Sequence, residues 1–173
     1  MTPPWRRHPE RSEGSFISLI RPICPYLSYD LMEPTQHTIA VGIITNDQNQ
    51  VLLAKREEPE SKHIHGKWEF VGGGIEFGET PEQAVIREAK EEAGIEVRII
   101  RLLPEVISHI WELDDNHKQQ ILIISYECKI IGGMPTAKPE HNTSEVRFYS
   151  IDEIKSLNTL PKVYEMSKMA ILN

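Results

Sequence analysis

Residues 66–95 read GKWEFVGGGIEFGETPEQAVIREAKEEAGI, and this stretch organises the rest of the chain. The consecutive glycines Gly72–Gly74 predict a backbone turn of a kind that residues with a Cβ atom avoid. A helix is predicted over Pro81–Ala93, because Thr80 is a good N-cap, proline suits the first helical position and Gln83 completes a capping box. Gly94 suits the left-handed conformation that commonly ends a helix.

The predicted helix concentrates its acidic residues on one face. Glu88, Glu91 and Glu92 stand at positions i, i+3 and i+4, so their like charges repel one another. Arg87 can pair with Glu91, but one guanidinium cannot neutralise three carboxylates. A divalent cation such as Mg²⁺, which prefers carboxylate and carbonyl oxygens, would supply the missing charge. Taken alone, the same run is also typical of a solvated acidic face.

The spacing of this stretch matches a longer pattern. Gly73, five residues, Glu79, seven residues and then 87–95 (REAKEEAGI) fit G-x5-E-x7-R-E-U-x-E-E-x-G-U, where U is apolar, at all nine defined positions. On this match the chain resembles the Nudix hydrolase family. The flanking segments 39–44 (IAVGII), 68–70 (WEF) and 78–85 (GETPEQAV) resemble the MutT-like type, the 8-oxo-dGTP pyrophosphohydrolases.

The resemblance implies an α/β fold, a Nudix α/β/α sandwich with a mixed β-sheet and a loop-helix-loop Nudix box. It implies Mg²⁺-dependent hydrolysis of a nucleoside diphosphate linked to another group, with Mn²⁺ as a possible substitute. A house-cleaning nucleoside triphosphate pyrophosphohydrolase is the favoured substrate type. Nucleotide sugars, dinucleoside polyphosphates or dihydroneopterin triphosphate are alternatives with the same chemistry. A non-catalytic nucleotide-binding Nudix domain is the alternative from another class, and it would be expected to have lost some of the acids that are present here.

The carboxylates on the helix are the predicted metal ligands, since a phosphoanhydride can be attacked by water only when its negative oxygens are neutralised. Glu88 and Glu92, one turn apart, are predicted to bind the cation directly, and Glu91 either binds it or supports the other two. The resemblance adds the backbone carbonyl of Gly73 to this set.

Two further box residues and two acids outside the box complete the predicted catalytic machinery. Arg87 is predicted to hold the glutamates in place, and Glu79 to orient Arg87 or a metal-bound water. By resemblance a further acid from outside the box completes the site or acts as general base. Glu140 and Glu145 are the candidates, and the sequence does not choose between them.

Substrate contacts are implied by the resemblance alone. Arg56 matches an arginine that lies near the nucleotide in MutT-like proteins, and Phe70 borders their base pocket. The chain departs from that type at Val71, where proline is usual, and at Gly74, where lysine is frequent. These departures leave the predicted metal chemistry intact and leave the identity of the base open.

Composition narrows the class of protein. A length of 173 residues fits one domain with a sizeable core, and a net charge of −7 disfavours non-specific binding to a nucleic-acid polymer. Cys24 and Cys128 are far apart, which argues against a zinc site or disulfide scaffold and suits a reducing cytoplasm. No apolar run approaches the ~20 residues that span a bilayer. The expected partner is a small nucleotide substrate without a membrane, and the oligomeric state is left open.

The first 34 residues differ in character from the rest. They hold six of the twelve prolines and show no sustained periodicity, so residues 1–34 are predicted to be a disordered extension and residues 35–173 the Nudix domain. Met32, just before the first strand, is an alternative start of the chain.

Other elements are predicted from apolar runs and turn residues. Thr38–Ile44 and Val51–Lys55 are predicted to form a hairpin, and Trp68–Val71 a short alternating strand. The two histidines of His63–His65 are expected on an exposed loop, and Asp114 and Asp115 in a turn. The remaining predictions are strands at Glu96–Leu103, Glu105–Trp111, Gln120–Ile130 and Glu145–Ser150, a loop at Gly132–Thr143, and helices at Ile151–Leu157 and Pro161–Leu172.

Overall fold

A computed structural model describes residues 35–114 and 117–172. The predicted N-terminal extension therefore lies outside the described residues, as do Asp115 and the side chain of Asp114. The elements in chain order are β1 (Thr35–Ile44), β2 (Val51–Arg56), β3 (Trp68–Glu69), β4 (Val71–Gly74), α1 (Pro81–Ala93), β5 (Ile95–Leu102), β6 (Ile107–Asp114), β7 (His117–Gly133), a 3-10 helix (Pro139–His141), β8 (Thr143–Tyr149), α2 (Ile151–Ser156) and α3 (Val163–Ile171).

Helix α1 has the ends that its sequence predicts. The Thr80 hydroxyl accepts a hydrogen bond from the Gln83 backbone N–H at 3.3 Å, and the Gln83 side-chain oxygen accepts one from the Thr80 N–H at 2.8 Å. Gly94 follows the last turn with φ of 67°, in the left-handed region. These caps satisfy backbone groups that a helix end otherwise leaves unpaired, so the capping prediction is confirmed.

The strands form two sheets. In the first, the order is β4-β1-β7-β5, and β6 also pairs with the opening half of the long strand β7. Strands β1 and β7 are parallel, whereas the other pairs in that sheet are antiparallel, so the sheet is mixed as predicted. The second sheet has the order β3-β2-β8 and is antiparallel throughout.

The predicted β1–β2 hairpin is wrong. The turn itself forms, with the Asn46 N–H donating to the Gln50 carbonyl at 3.1 Å, but only one isolated bridge, Thr45 to Val51, joins the two segments. Both edges of β1 are already paired, one with β4 and the other with β7. Strand β2 therefore passes into the second sheet and pairs with β3 and β8.

The prediction for residues 68–74 also needs correction. Trp68–Val71 is not one strand, since the chain changes sheet at Phe70, between β3 and β4. The glycines Gly72–Gly74 do not form a turn. They lie in β4 and pair with Val41, Ala40 and Ile39 of β1.

The loop predicted at 132–143 is only partly correct. Strand β7 continues to Gly133, which pairs with Ile95 of β5, and the 3-10 helix occupies Pro139–His141. The remaining strands and the two closing helices are confirmed, with ends that differ by up to three residues.

Two core layers lie on opposite sides of the sheets. On one side, buried residues of β1 and β2 such as Ile44 and Leu52 pack with Val85 and Ala89 of α1. On the other side, their neighbours in sequence pack against α2 and α3, in a cluster that includes Ile43, Leu53, Ile154 and Met166. Because successive strand residues point to opposite faces, the sheets are covered by helices on both sides. The α/β/α sandwich is confirmed.

Candidate active site

The acidic face of α1 lies against β4, and Glu92 is its most buried carboxylate. The residue is 6% exposed, and its Oε2 accepts a hydrogen bond from the Gly72 backbone N–H at 3.0 Å. Its Oε1 lies 3.6 Å from Nη1 of Arg56 on β2. Glu92 is thus held between the helix, the glycine strand and the second sheet.

Glu88 lies beside the next glycine of β4. A Cβ atom built on Gly73 would collide with the Glu88 carboxylate. The missing side chain at Gly73 therefore leaves the space in which Glu88 rests against the backbone. The structure thereby brings Gly73, Glu88 and Glu92, which the sequence selects as metal ligands, to one place.

Arg87 connects the other predicted acids. Its Nε and Nη2 donate to the two carboxylate oxygens of Glu79, both at 3.0 Å. Its Nη1 donates to Glu88 at 2.8 Å and to Glu91 at 3.0 Å, while Nη2 also reaches the Gly74 carbonyl at 2.9 Å. Hydrogen bonding from Arg87 lowers the pKa of Glu79. This fork, with five donors in one plane, places Arg87 where it can orient the glutamates.

Sequence reasoning missed Glu69, a further acid near the glutamates of α1. Its Oε1 lies 3.5 Å from Nη1 of Arg56, the same nitrogen that approaches Glu92, and Nε of Arg56 donates to Glu58 at 3.1 Å. The available signal was an acidic residue between the core aromatics Trp68 and Phe70, in a short strand leading to the glycines.

Two of these carboxyls have raised pKa values. Burial raises the pKa of Glu92 to about 8, and repulsion from Glu69 and Glu88 adds to the effect while the Gly72 N–H opposes it. Burial likewise raises the pKa of Glu69 to about 7, against the attraction of Arg56. Burial in the fold therefore disfavours the ionised forms of both carboxyls.

The donor set fits a hard divalent cation. Among the residues that the structure describes, no three His, Cys, Asp or Glu side chains converge as a ready-made metal cage. The carboxylate oxygens are instead engaged by Arg87 and the Gly72 N–H, while Arg56 lies close to Glu92. Carboxylates that repel one another, next to a glycine backbone, are the ligands that such a cation prefers. We therefore regard the cluster as compatible with a metal.

The remaining predicted residues are the outer acids Glu140 and Glu145 and the aromatic residue Phe70. Glu145 is exposed on β8, paired with Lys55, and Glu140 is exposed on the 3-10 helix. Within residues 35–114 and 117–172, no hydrogen bond or ion pair joins either of them to the glutamates of α1. The identity of the general base stays a prediction. Phe70 is 6% exposed and belongs to the core on the α3 side.

Two adjoining cavities lie on the face of the first sheet opposite α1. The smaller, about 60 Å³, is bordered by Glu69, Phe70 and Gly72, next to the carboxylate cluster. The larger, about 300 Å³, has Arg56 in its wall. Four residues border both cavities, namely Ile39, Ile123, Leu160 and Pro161. A volume of this size is at the lower end for small-molecule sites, and Arg56 connects it to the acids.

A family model and named relatives match this chain. The model of the NUDIX domain family matches residues 35–169. The 8-oxo-dGTP diphosphatase of Proteus vulgaris is 41% identical over 87 residues, which are 50% of this chain and 73% of that protein. The enzyme of the same name from Escherichia coli (strain K12) is 44% identical over 79 residues, 46% of this chain and 57% of that protein.

A solved structure supports the fold. The crystal structure of a MutT protein from Methanosarcina mazei Go1 superposes with a TM-score of 0.62, covering 79% of this chain and 96% of that one, at 22% sequence identity. Within the described part of the chain, no helix has the length and apolar character needed to cross a membrane.

Proposed function

Because this chain belongs to the Nudix family and is a Nudix hydrolase, we propose that it is a magnesium-dependent nucleoside triphosphate pyrophosphohydrolase of the house-cleaning MutT type. It cleaves the bond between the α- and β-phosphates and releases a nucleoside monophosphate and pyrophosphate. The observation that carries the proposal is the cluster of Glu88 and Glu92 against the glycine strand, beside a cavity that has Arg56 in its wall.

The residues that would hold the cation are Glu88, Glu91 and Glu92, with the carbonyl of Gly73. The bound cation would neutralise the diphosphate oxygens and lower the pKa of the attacking water. Arg87 keeps the carboxylates oriented through its bonds to Glu88 and Glu91. This orientation matters because catalysis depends on groups that are already in place when charge develops.

Arg56 and Glu79 contribute in different ways. Arg56 lies at the border between the acids and the larger cavity, so its charge can attract a substrate phosphate to the cluster. Glu79 is bound on both oxygens by Arg87 and also accepts from the Glu76 N–H at 3.0 Å. With its pKa lowered, Glu79 is a poor proton acceptor and serves to position Arg87. The general base is then a box glutamate or an outer acid such as Glu140 or Glu145.

The substrate preference rests on the named relatives, both of which are 8-oxo-dGTP diphosphatases. Oxidised guanine nucleotides are accordingly the first substrates to examine. The acidic net charge favours small nucleotides over nucleic-acid polymers as substrates, and the two isolated cysteines favour a cytoplasmic location.

The test is a substrate panel in Mg²⁺ that contains 8-oxo-dGTP, the common nucleoside triphosphates and ADP-ribose, with the products identified by mass. We expect monophosphate and pyrophosphate from at least one triphosphate. Release of orthophosphate, or cleavage of ADP-ribose alone, would refute the proposed substrate class.

Glu92→Gln tests the role of the buried carboxylate in the same assay. We expect kcat to fall on the order of 10²-fold, while the melting temperature without Mg²⁺ stays close to that of the wild type. Glu96→Gln is the matched control, because Glu96 is exposed and its ion pair is with Lys90, at 3.1 Å. Normal hydrolysis by Glu92→Gln would contradict the assignment of the cluster.

A further inference from the structure

The floor of the larger cavity is built by one face of two paired strands. Residues 107, 109 and 111 of β6 lie opposite residues 123, 121 and 119 of β7. All six border the cavity, and those nearest the connecting turn are Trp111 and Gln119. Directly opposed residues on one face have Cβ atoms about 5 Å apart, so an indole ring and a primary amide stand side by side at this end of the cavity.

The indole of Trp111 is held by two histidines. The ring of His109 lies 4.5 Å from it, centroid to centroid, at 71°, which is an edge-to-face arrangement. The ring of His63, from the segment between β2 and β3, lies at 6.1 Å and 47°. Edge-to-face packing fixes a ring without covering both of its faces. Trp111 is therefore a rigid aromatic surface in the cavity wall, half-buried rather than part of the core.

Gln119 and its neighbour Gln120 differ in their side-chain hydrogen bonds. Its neighbour Gln120, on the opposite face of β7, donates to the Ser108 hydroxyl at 2.9 Å and accepts from Gln36 at 2.9 Å. Within the part of the chain that the structure describes, Gln119 makes no such side-chain bond, although it is half-buried. A partly buried amide that has no hydrogen-bond partner destabilises the protein.

We propose that Trp111 and Gln119 form the base-recognition pair of this enzyme, and that they select purine nucleotides. The indole stacks on the base, and the amide offers one donor and one acceptor to its edge, as amides do to N6 and N7 of adenine. A bicyclic purine covers more of an indole than a pyrimidine does, so the stacking contact favours purines. The inference rests on the proposed function, since Arg56 places the cavity beside the diphosphate site.

The rest of the cavity supports a base as the occupant. Apart from the pair and the histidines, its wall consists largely of isoleucines with Leu160 and Pro161, and its cationic residues are Arg56 and Lys162. An apolar slot with a few polar groups suits a flat heterocycle. Arg56 lies at the acidic cluster and therefore orients the nucleotide in the cavity. The phosphates lie at that end, and the base lies towards the turn between β6 and β7.

The experiment compares Trp111→Ala, Trp111→Phe and Gln119→Leu with two controls. Ile110→Ala and Gln120→Leu change the next residue along each strand, on the opposite face. With the purine triphosphate that the wild type hydrolyses best, we expect KM to rise about tenfold for Trp111→Ala and several-fold for Gln119→Leu, with kcat little changed. Trp111→Phe should fall in between, and the controls should match the wild type.

The preference for purines over pyrimidines should also shrink in Trp111→Ala. Unchanged KM and base preference in all three variants, with hydrolysis intact, would overturn the inference. A KM that rises as much in the controls would overturn it as well, because the effect would then come from the strands rather than the cavity face.

A binding measurement separates this inference from the proposed function. Titration of a non-hydrolysable α,β-imido purine triphosphate should quench tryptophan fluorescence in the wild type and much less in Trp111→Phe. If no nucleotide of the panel is hydrolysed but this quenching is seen, the proposed function fails and the base site stands. Equal quenching in the two proteins, whatever the activity, would show that the base does not stack on Trp111. Melting temperatures identify any variant that fails to fold. If Trp111→Ala fails to fold, Trp111→Phe supplies the result in its place.

Discussion

At the scale of single residues, the three glycines of β4 differ in what a side chain would do at each position. A Cβ on Gly72 would collide with the Ala40 carbonyl of the paired strand, and the residue has φ of 154°, which side chains rarely allow. A Cβ on Gly73 would collide first with the Glu88 carboxylate, and a Cβ on Gly74 would meet no atom within 4 Å. Gly72 thus allows the sheet pairing and Gly73 allows the placement of Glu88, whereas Gly74 is needed for neither.

Gly72→Ala should destabilise the fold. The new Cβ meets backbone, which cannot move aside without breaking the β1–β4 pairing, and the backbone angle is strained for alanine. We expect a loss of about 2 kcal/mol or more in the free energy of unfolding, measured by urea denaturation. Gly74→Ala is the matched control and should stay within about 0.5 kcal/mol of the wild type. Equal stability of the two variants would show that the close approach of β4 to β1 is mistaken.

Gly73→Ala should separate activity from stability. Its Cβ would displace the end of a flexible side chain, Glu88, so the fold can adjust at small cost. The displaced carboxylate would lose its place in the cluster, and we expect kcat to fall at least about tenfold with little change in melting temperature. Steady-state kinetics beside Gly74→Ala provides the measurement. Full activity would remove Glu88 from the set of ligands.

At the scale of elements, α1 is fixed to the first sheet by more than apolar packing. Its Val85, Ala89 and Ala93 are fully buried, and the Tyr126 hydroxyl of β7 donates to the Glu82 carboxylate at 2.7 Å. A short bond to a charged acceptor is stronger than an ordinary one. It lowers the pKa of Glu82, and burial together with the same bond raises that of Tyr126 to about 12. The bond joins the first turn of the helix to the sheet.

Tyr126→Phe should cost about 1–2 kcal/mol of stability at pH 7, because it removes this bond and leaves the ring in place. The pKa of Glu82 is lowered from 4.5 in the fold, so the contribution is complete above pH 4.5 and is lost as the pH falls through the lowered value. The difference from the wild type should therefore shrink towards pH 3 in denaturation experiments. Tyr164→Phe is the control, since no hydrogen bond of Tyr164 is found among the described residues. A difference that grew on acidification would contradict the bond.

At the scale of the whole molecule, the fold brings several carboxyl groups together in a chain whose net charge is already −7. The raised pKa values of Glu69 and Glu92 show that the fold disfavours their ionised forms. A fold that maintains such a cluster without a cation gives up stability there. Binding of a divalent cation would recover it, so ligand binding and overall stability should be coupled.

Mg²⁺ should therefore stabilise the protein against unfolding, and the effect should depend on the cluster. At a concentration about 100 times the dissociation constant, linkage predicts a gain of about 2.7 kcal/mol, seen as a rise in melting temperature after prior treatment with EDTA. The rise should be small in Glu92→Gln and unchanged in Glu96→Gln. Equal responses in the wild type and Glu92→Gln would place the cation elsewhere.

Much of this protein could be predicted from local sequence, because the relevant physics is local. The capping box at Thr80, the stop at Gly94 and the shared face of Glu88, Glu91 and Glu92 depend on positions three or four residues apart. The match over residues 73–95 identified the family, and the family model extends over residues 35–169. The α/β/α class followed from the family resemblance and the alternation of apolar runs, and it is confirmed.

The tertiary structure alone decided how distant segments meet. Pairing of β1 on both edges sent β2 into a second sheet, and this brought Arg56 and Glu69 to Glu92. Because Gly72–Gly74 pair with β1, they form a strand instead of the predicted turn. The register of β6 against β7 put Trp111 beside Gln119. The sequence by itself determined the helix and its acids through short-range hydrogen bonds and charges, whereas strand pairing depends on which edges remain free in the assembled sheet, and a linear pattern does not contain that information.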